Sequence, residues 1–195
     1  MSKVRDRARQ ALAALQPREL PLEGRRPAGV LLLLHHLAGE DHIVFQQRTD
    51  RVRHHKGEIS FPGGARDPED ADLLETALRE THEEIGVSPD LVEIYGQLDD
   101  TDTYGSNYLI RPFVGAVSPE EQLTFVEAER EVRELLHVPV EHLLSETART
   151  WKVAERDGST ETTPAYSFQE HVIWGATARM LGQFLELLDP EARHR

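Results

Sequence analysis

Cysteine is absent from this chain, which removes disulfides, thiolate metal sites and cysteine nucleophiles from consideration and fits a reducing compartment. Long apolar runs are also missing. The longest, Gly29-Val-Leu-Leu-Leu-Leu34, is far too short to cross a bilayer and suits a buried strand. Positive charge is scarce: 22 Lys and Arg stand against 35 Asp and Glu, for a net charge of −13. That balance argues against non-specific binding to nucleic acid, whose phosphates most of the surface would repel. It does not exclude a small anion, because a basic loop or a metal reverses the sign locally. The opening MSKVRDRARQALAALQ has neither an apolar core nor a small-residue cleavage site, and the closing EARHR carries no address signal. The expectation is a cytoplasmic protein with no membrane or nucleic-acid partner. There is no internal repeat and no low-complexity segment, and 195 residues suffice for one compact domain with a sizeable core.

What is present is a mixture of helices and strands. Val4–Leu15 reads as a helix, and residues up to 27 as a linker. Strands are expected at Gly29–Leu34 and Ile43–Arg48 around a turn at Gly39, then at Leu91–Leu98, Tyr108–Val117 and Val132–Val138. Leu74, Ala77, Leu78, Thr81 and Ile85 define a helix face, started by Asp67-Pro68 or Asp70 and stopped by Gly86. A short helix at Val140–Leu144 precedes a hairpin around Asp157-Gly158 and a final helix at Gly175–Leu188. The irregular order favours α+β layers over βαβ alternation. The expected domain spans residues 28–188, flanked by residues 1–27 and a tail at 189–195.

The segment ALRETHEEIG, Ala77 to Gly86, gathers Glu80, Glu83 and Glu84 at the end of a helix. With Leu74 at zero, they sit near ~240°, ~180° and ~280°, sharing one arc opposite or beside the apolar stripe. Like charges at such spacing cost ~0.2–0.5 kcal/mol per pair. Opposing the helix dipole adds ~0.3–1 kcal/mol. A solvated acidic face accounts for this composition, and so does a site for a hard divalent cation, whose charge removes the repulsion.

The surrounding residues separate the two readings. Gly63-Gly64 is followed by Arg79-Glu80, then Glu83-Glu84, Gly86 and Val87. This resembles the Nudix box: glycine, five residues, glutamate, seven residues, then Arg-Glu-aliphatic-x-Glu-Glu-x-Gly-aliphatic. Thr81 takes the aliphatic position. The run from Gly64 to Arg79 is one residue longer than the pattern, so the first acidic position falls on Asp70. The resemblance implies a Nudix fold, an α/β/α sandwich with a mixed sheet and added N- and C-terminal helices. It also implies hydrolysis of a nucleoside diphosphate linked to another moiety, with Mg²⁺ or Mn²⁺ as cofactor. Glu80, Glu83 and Glu84 would hold the metal, Arg79 would orient a carboxylate, and Gly63 and Gly64 would let the backbone approach the phosphates. A general base would come from the box or from a later loop, where Glu127, Glu129 and Glu131 stand.

The stretch from Arg48 to Gly64 carries a second resemblance. Arg48, Arg53, His55, Gly57, Phe61, Pro62, Gly63 and Gly64 fall on the fixed positions of the coenzyme A pyrophosphatase subfamily: Arg-Ser, two residues, Leu-Arg-x-His-x-Gly, three residues, Phe-Pro-Gly-Gly. Arg111-Pro-Phe-Val-Gly115 and Ile173-Trp-Gly-Ala-Thr-Ala178 also look like family segments. The implied substrate is coenzyme A, cleaved to 3′,5′-ADP and 4′-phosphopantetheine by a monomer or homodimer. Its phosphates would be met by Arg48, Arg53, His55 and Lys56; a solvated basic loop is the plainer account of the same residues. ADP-ribose or NADH-type dinucleotides are an alternative substrate, and a non-catalytic nucleotide-binding module is an alternative role.

Overall fold

The computed structural model describes residues 2–49, 57–103, 105–121, 123–128, 131–156 and 159–189. The apolar run found in the sequence lies in strand β1 (Arg26–Leu37), at the centre of a mixed eight-stranded sheet. β1 pairs antiparallel with β2 (Glu40–Arg48) through a tight turn, Ala38 and Gly39 both having positive φ. On its other side it pairs parallel with β7 (Tyr108–Val117), which pairs antiparallel with β5 (Val92–Gln97) and β6 (Thr101–Asp102). β3 (Ile59–Ser60) and β8 (Val132–Pro139) pair with β2, and β4 (Gly63–Ala65) pairs with β1.

β1 is apolar without alternation because both of its faces are covered. Leu31 and Leu33 pack with Ala77 and Ile85 of α2 (Leu73–Ile85) on one side. Leu32 and Leu34 pack on the other with Leu181 and Phe184 of α4 (Gly175–Leu188). Helix α1 (Lys3–Ala14) joins that second core through Ala8 and Leu12. It is pinned by the buried Arg5, whose Nε donates to Asp41 at 2.7 Å. The short α3 (Val140–Leu144) follows β8, and a separate three-stranded sheet, β9 (Arg149–Arg156), β10 (Ser159–Phe168) and β11 (His171–Ile173), leads into α4. The layers are those of an α/β/α sandwich.

Two details of α2 differ from expectation or refine it. Its N-cap is Asp72, not Asp67 or Asp70; the Asp72 carboxylate accepts from the Glu75 N–H at 2.9 Å. Asp67 and Asp70 serve Arg79 instead. Gly86 ends the helix in the left-handed conformation at φ 76°, as its place in the sequence predicts. No helix among the described residues is long and apolar enough to cross a membrane.

Candidate active site

The site forms where α2 lies against the glycine strand β4. Gly63 has φ 143°, and a Cβ there would lie 2.4 Å from the Gly29 carbonyl oxygen and 2.6 Å from Val30 Cα. Only glycine fits. Its N–H donates to Glu84 Oε2 at 2.8 Å, and Gln46 Nε2 of β2 donates to the same oxygen at 2.7 Å. A Cβ on Gly64 would lie 2.6 Å from the Glu80 carboxyl carbon, so that carboxylate rests directly on the glycine backbone.

These contacts bury Glu84 to 3% exposure. Burial pushes its carboxyl up to about 7, against the pull of Gly63, Arg48 and Gln46, and the nearby Glu80 adds to the rise. Burial also raises Glu80, opposed by Arg79 and reinforced by Glu83 and Glu131. Arg48 brings Nη1 within 3.6 Å of the other Glu84 oxygen, Oε1.

Arg79 is fixed from the opposite side. Its Nε and Nη2 make a fork on Asp70 at 2.9 and 3.0 Å, while Nη1 donates to Glu80 at 2.8 Å and to Glu83 at 3.2 Å. Asp70 also accepts from the Thr76 hydroxyl at 2.8 Å and the Asp67 N–H at 2.9 Å. The guanidinium holds the Asp70 carboxyl well below the usual carboxylate range. Asp70 thus orients Arg79, which in turn orients Glu80. Thr81 occupies an aliphatic position without a stranded hydroxyl, since its Oγ1 donates to the Ala77 carbonyl at 2.6 Å.

A cavity of about 1020 Å³ opens beside these groups. Glu80, Glu84, Arg48, Gly63, Gly64 and Glu131 line it. Glu83 does not: its side chain is exposed and turned to Arg79. Of the later-loop carboxylates, Glu131 reaches the cavity, Glu127 is exposed elsewhere, and Glu129 lies outside the described residues. Arg53, His55 and Lys56 also lie outside the described residues, as do Arg51 and His54. Arg111 does not line the cavity; it forks onto Asp100 at 2.9 and 3.0 Å and meets Glu19 at 3.0 Å, tying the linker to β7. Sequence reasoning passed over Gln46, Glu58 and Tyr108. No periodicity distinguishes Gln46 from its neighbour Gln47. Tyr108 sits at the start of a strand already identified, with Arg26 stacked 4.8 Å over its ring.

The carboxylates suit a hard cation in kind. Among the described residues no three His, Asp or Glu side chains are grouped so as to hold an ion by themselves. Mg²⁺ is commonly bound by one or two carboxylates together with substrate phosphates and water, and the pair Glu80 and Glu84 fits that mode. Burial raises both carboxyls despite the cations beside them, Arg79 at Glu80 and Arg48 at Glu84.

A mixed sheet clamped between helices, opening on an acidic, glycine-walled cavity, defines an α+β protein with a small-molecule site at one face of its sheet. The NUDIX domain family matches residues 25–158. The Nudix hydrolase NudL of Photorhabdus laumondii is 33% identical over 144 residues, 74% of this chain and 75% of that protein. Nudix hydrolase 3 of Caenorhabditis elegans is 33% identical over 178 residues, 83% of this chain and 73% of that protein. The chain belongs to the Nudix hydrolase family. Among solved structures, the MutT protein of Methanosarcina mazei superposes with a TM-score of 0.54 at 17% identity, covering 93% of this chain and all of that one. The fold is therefore shared well beyond recognisable sequence likeness.

Proposed function

We propose that this protein hydrolyses the diphosphate of coenzyme A and its derivatives, giving 3′,5′-ADP and 4′-phosphopantetheine, with Mg²⁺ or Mn²⁺ held by Glu80 and Glu84. The observation that carries the reading is the cavity itself. One wall is the acidic pair on the glycine strand, and the space continues past Tyr108 to Trp174, with room for a ligand much longer than a diphosphate. The spacing from Arg48 to Gly64, which resembles that of the coenzyme A pyrophosphatase subfamily, supports coenzyme A as the substrate.

The chain's own contribution is positional. Gly63 and Gln46 lock one oxygen of Glu84 and leave the other facing Arg48 and the cavity. Arg79 fixes Glu80 against Gly64. Arg48, with Arg53, His55 and Lys56, offers positive charge to the substrate's phosphates. Glu83 adds acidity near Arg79, outside the cavity. A bound divalent cation would neutralise diphosphate charge and lower the pKa of a coordinated water.

The test is a substrate panel with Mg²⁺ or Mn²⁺: coenzyme A, dephospho-coenzyme A, ADP-ribose and NADH, with products identified after reaction in ¹⁸O-water. The reading expects the label in one phosphate product of coenzyme A and the highest kcat/KM for that substrate. Higher kcat/KM for ADP-ribose or NADH would overturn it.

A further inference from the structure

The wall of the cavity formed by α4 is built from the first turn of that helix. Trp174, Gly175, Ala176 and Thr177 all line the space. Trp174 is the N-cap, extended at φ −144°, and provides no side-chain cap; the first turn contains no acidic residue. The first backbone bond of the helix runs from the Ala178 N–H to the Trp174 carbonyl at 3.4 Å. Among the described residues, the N–H groups of Gly175, Ala176 and Thr177 have no acceptor. A 14-residue helix therefore presents its positive end to the cavity uncapped.

A second observation comes from a side chain. Thr177 is 8% exposed, yet its hydroxyl has no hydrogen-bond partner among the described residues. What little of that side chain is exposed borders the cavity, where a bound group can supply the partner that a largely buried hydroxyl normally has. Two cations stand on the same walls: Arg179, held by the Asp102 carbonyl and carboxylate, and Arg26, held over Tyr108.

We infer that the first turn of α4 is the seat of a second anionic group, a phosphomonoester borne by the substrate and distinct from the diphosphate at Glu80 and Glu84. Three N–H groups, a hydroxyl and a neighbouring guanidinium match the three terminal oxygens of a phosphate dianion better than the two of a carboxylate. The inference rests on the proposed use of the cavity for a nucleotide substrate. It goes further by placing the group that separates a 3′-phosphorylated substrate from its dephospho counterpart.

The experiment compares the intact protein with Thr177→Glu and Thr177→Val. A glutamate in the first turn suits the helix dipole, so the fold is kept while a carboxylate enters the seat. The valine keeps the volume and removes the hydroxyl. Calorimetry with adenosine 3′,5′-bisphosphate and adenosine 5′-monophosphate reads the seat without requiring turnover. The unsubstituted protein is expected to prefer the bisphosphate by about tenfold or more, the scale of a charge-assisted hydrogen-bond set. Thr177→Glu should abolish that preference and Thr177→Val should reduce it. KM for coenzyme A should rise in both while KM for dephospho-coenzyme A stays constant. No preference in the unsubstituted protein, or a preference unchanged in Thr177→Val, overturns the inference. If coenzyme A is not cleaved but the bisphosphate preference exists and is lost in Thr177→Val, the seat stands and the substrate assignment falls.

Discussion

Replacing Glu84 by glutamine tests the central electrostatic feature of the site. In the absence of metal, burial moves this carboxyl from an ordinary 4.5 to about 7. A raised acid favours folding while it stays protonated and opposes folding once it must ionise. Below pH 4.5 both folded and unfolded chains carry the proton, and no cost arises. Between pH 4.5 and 7 the unfolded chain alone is ionised, and stability falls as pH rises. Above pH 7 the loss is complete, at about 3 kcal/mol for a shift of this size. Glutamine is isosteric and keeps the Gly63 and Gln46 bonds on its amide oxygen, losing only the 3.6 Å approach of Arg48. In EDTA, Glu84→Gln should therefore match the parent near pH 4.5 and exceed its stability at pH 8 by about 3 kcal/mol, or about 6–12 °C in Tm for a chain of this size. Hydrolysis with Mg²⁺ should be abolished. Urea titrations across pH 4.5–8.5 read the difference. A gap independent of pH, or a variant weaker than the parent at pH 8, refutes the reasoning. Added Mg²⁺ should raise the parent's Tm at pH 8 and leave the variant's nearly unchanged.

The adjacent glycines should respond in opposite ways to alanine. In Gly64→Ala the new Cβ meets the end of the flexible Glu80 side chain, so the carboxylate swings away; kcat should drop at least ~10-fold with stability within ~1 kcal/mol. In Gly63→Ala the Cβ meets backbone at positive φ, and ~2–5 kcal/mol of stability should be lost, measured by denaturant unfolding. Equal stability of the two variants contradicts the geometry. Asp70→Asn removes the carboxylate that forks onto Arg79, which keeps Glu80 and Glu83, and should destabilise by ~1–3 kcal/mol at pH 7. Because the Asp70 carboxyl is held low, that loss should be full above its ordinary pKa and shrink as pH falls below it; a loss constant down to pH 3 would count against the ion pair.

The long elements were legible because their patterns are local. Gly175–Leu188 and Tyr108–Val117 have the same ends in the sequence reading as in the structure. The cap of α2 was also written in the chain, as Asp72 followed three residues later by Glu75, a capping-box spacing; Asp67-Pro68 drew attention away from it. The burial of Glu84 was not legible. Helical periodicity finds the stripe facing the main sheet, whereas Glu84 is covered on the helix's flank by Gly63 and Gln46, residues about twenty and forty positions earlier in the chain. The role of Asp70 was hidden for the same reason. Its spacing departs from the family pattern, but the loop before α2 folds back and delivers its carboxylate to Arg79.

This burial changes the answer to why a helix ends in clustered carboxylates. Dipole and neighbour repulsion at the helix surface each amount to less than ~1 kcal/mol. Ionising Glu84 in its buried setting costs about 3 kcal/mol net above neutral pH, burial outweighing the pull of Gly63, Arg48 and Gln46. The dominant strain is therefore set by the glycine strand that covers the carboxylate, not by the helix that carries it. A cation held by Glu80 and Glu84 would act in that same partly desolvated setting, where attraction is stronger than at a fully solvated face. On the proposed reading, glycines 63 and 64 would do more than admit a phosphate: by covering the two carboxylates they would raise the affinity of the pair for positive charge entering the cavity.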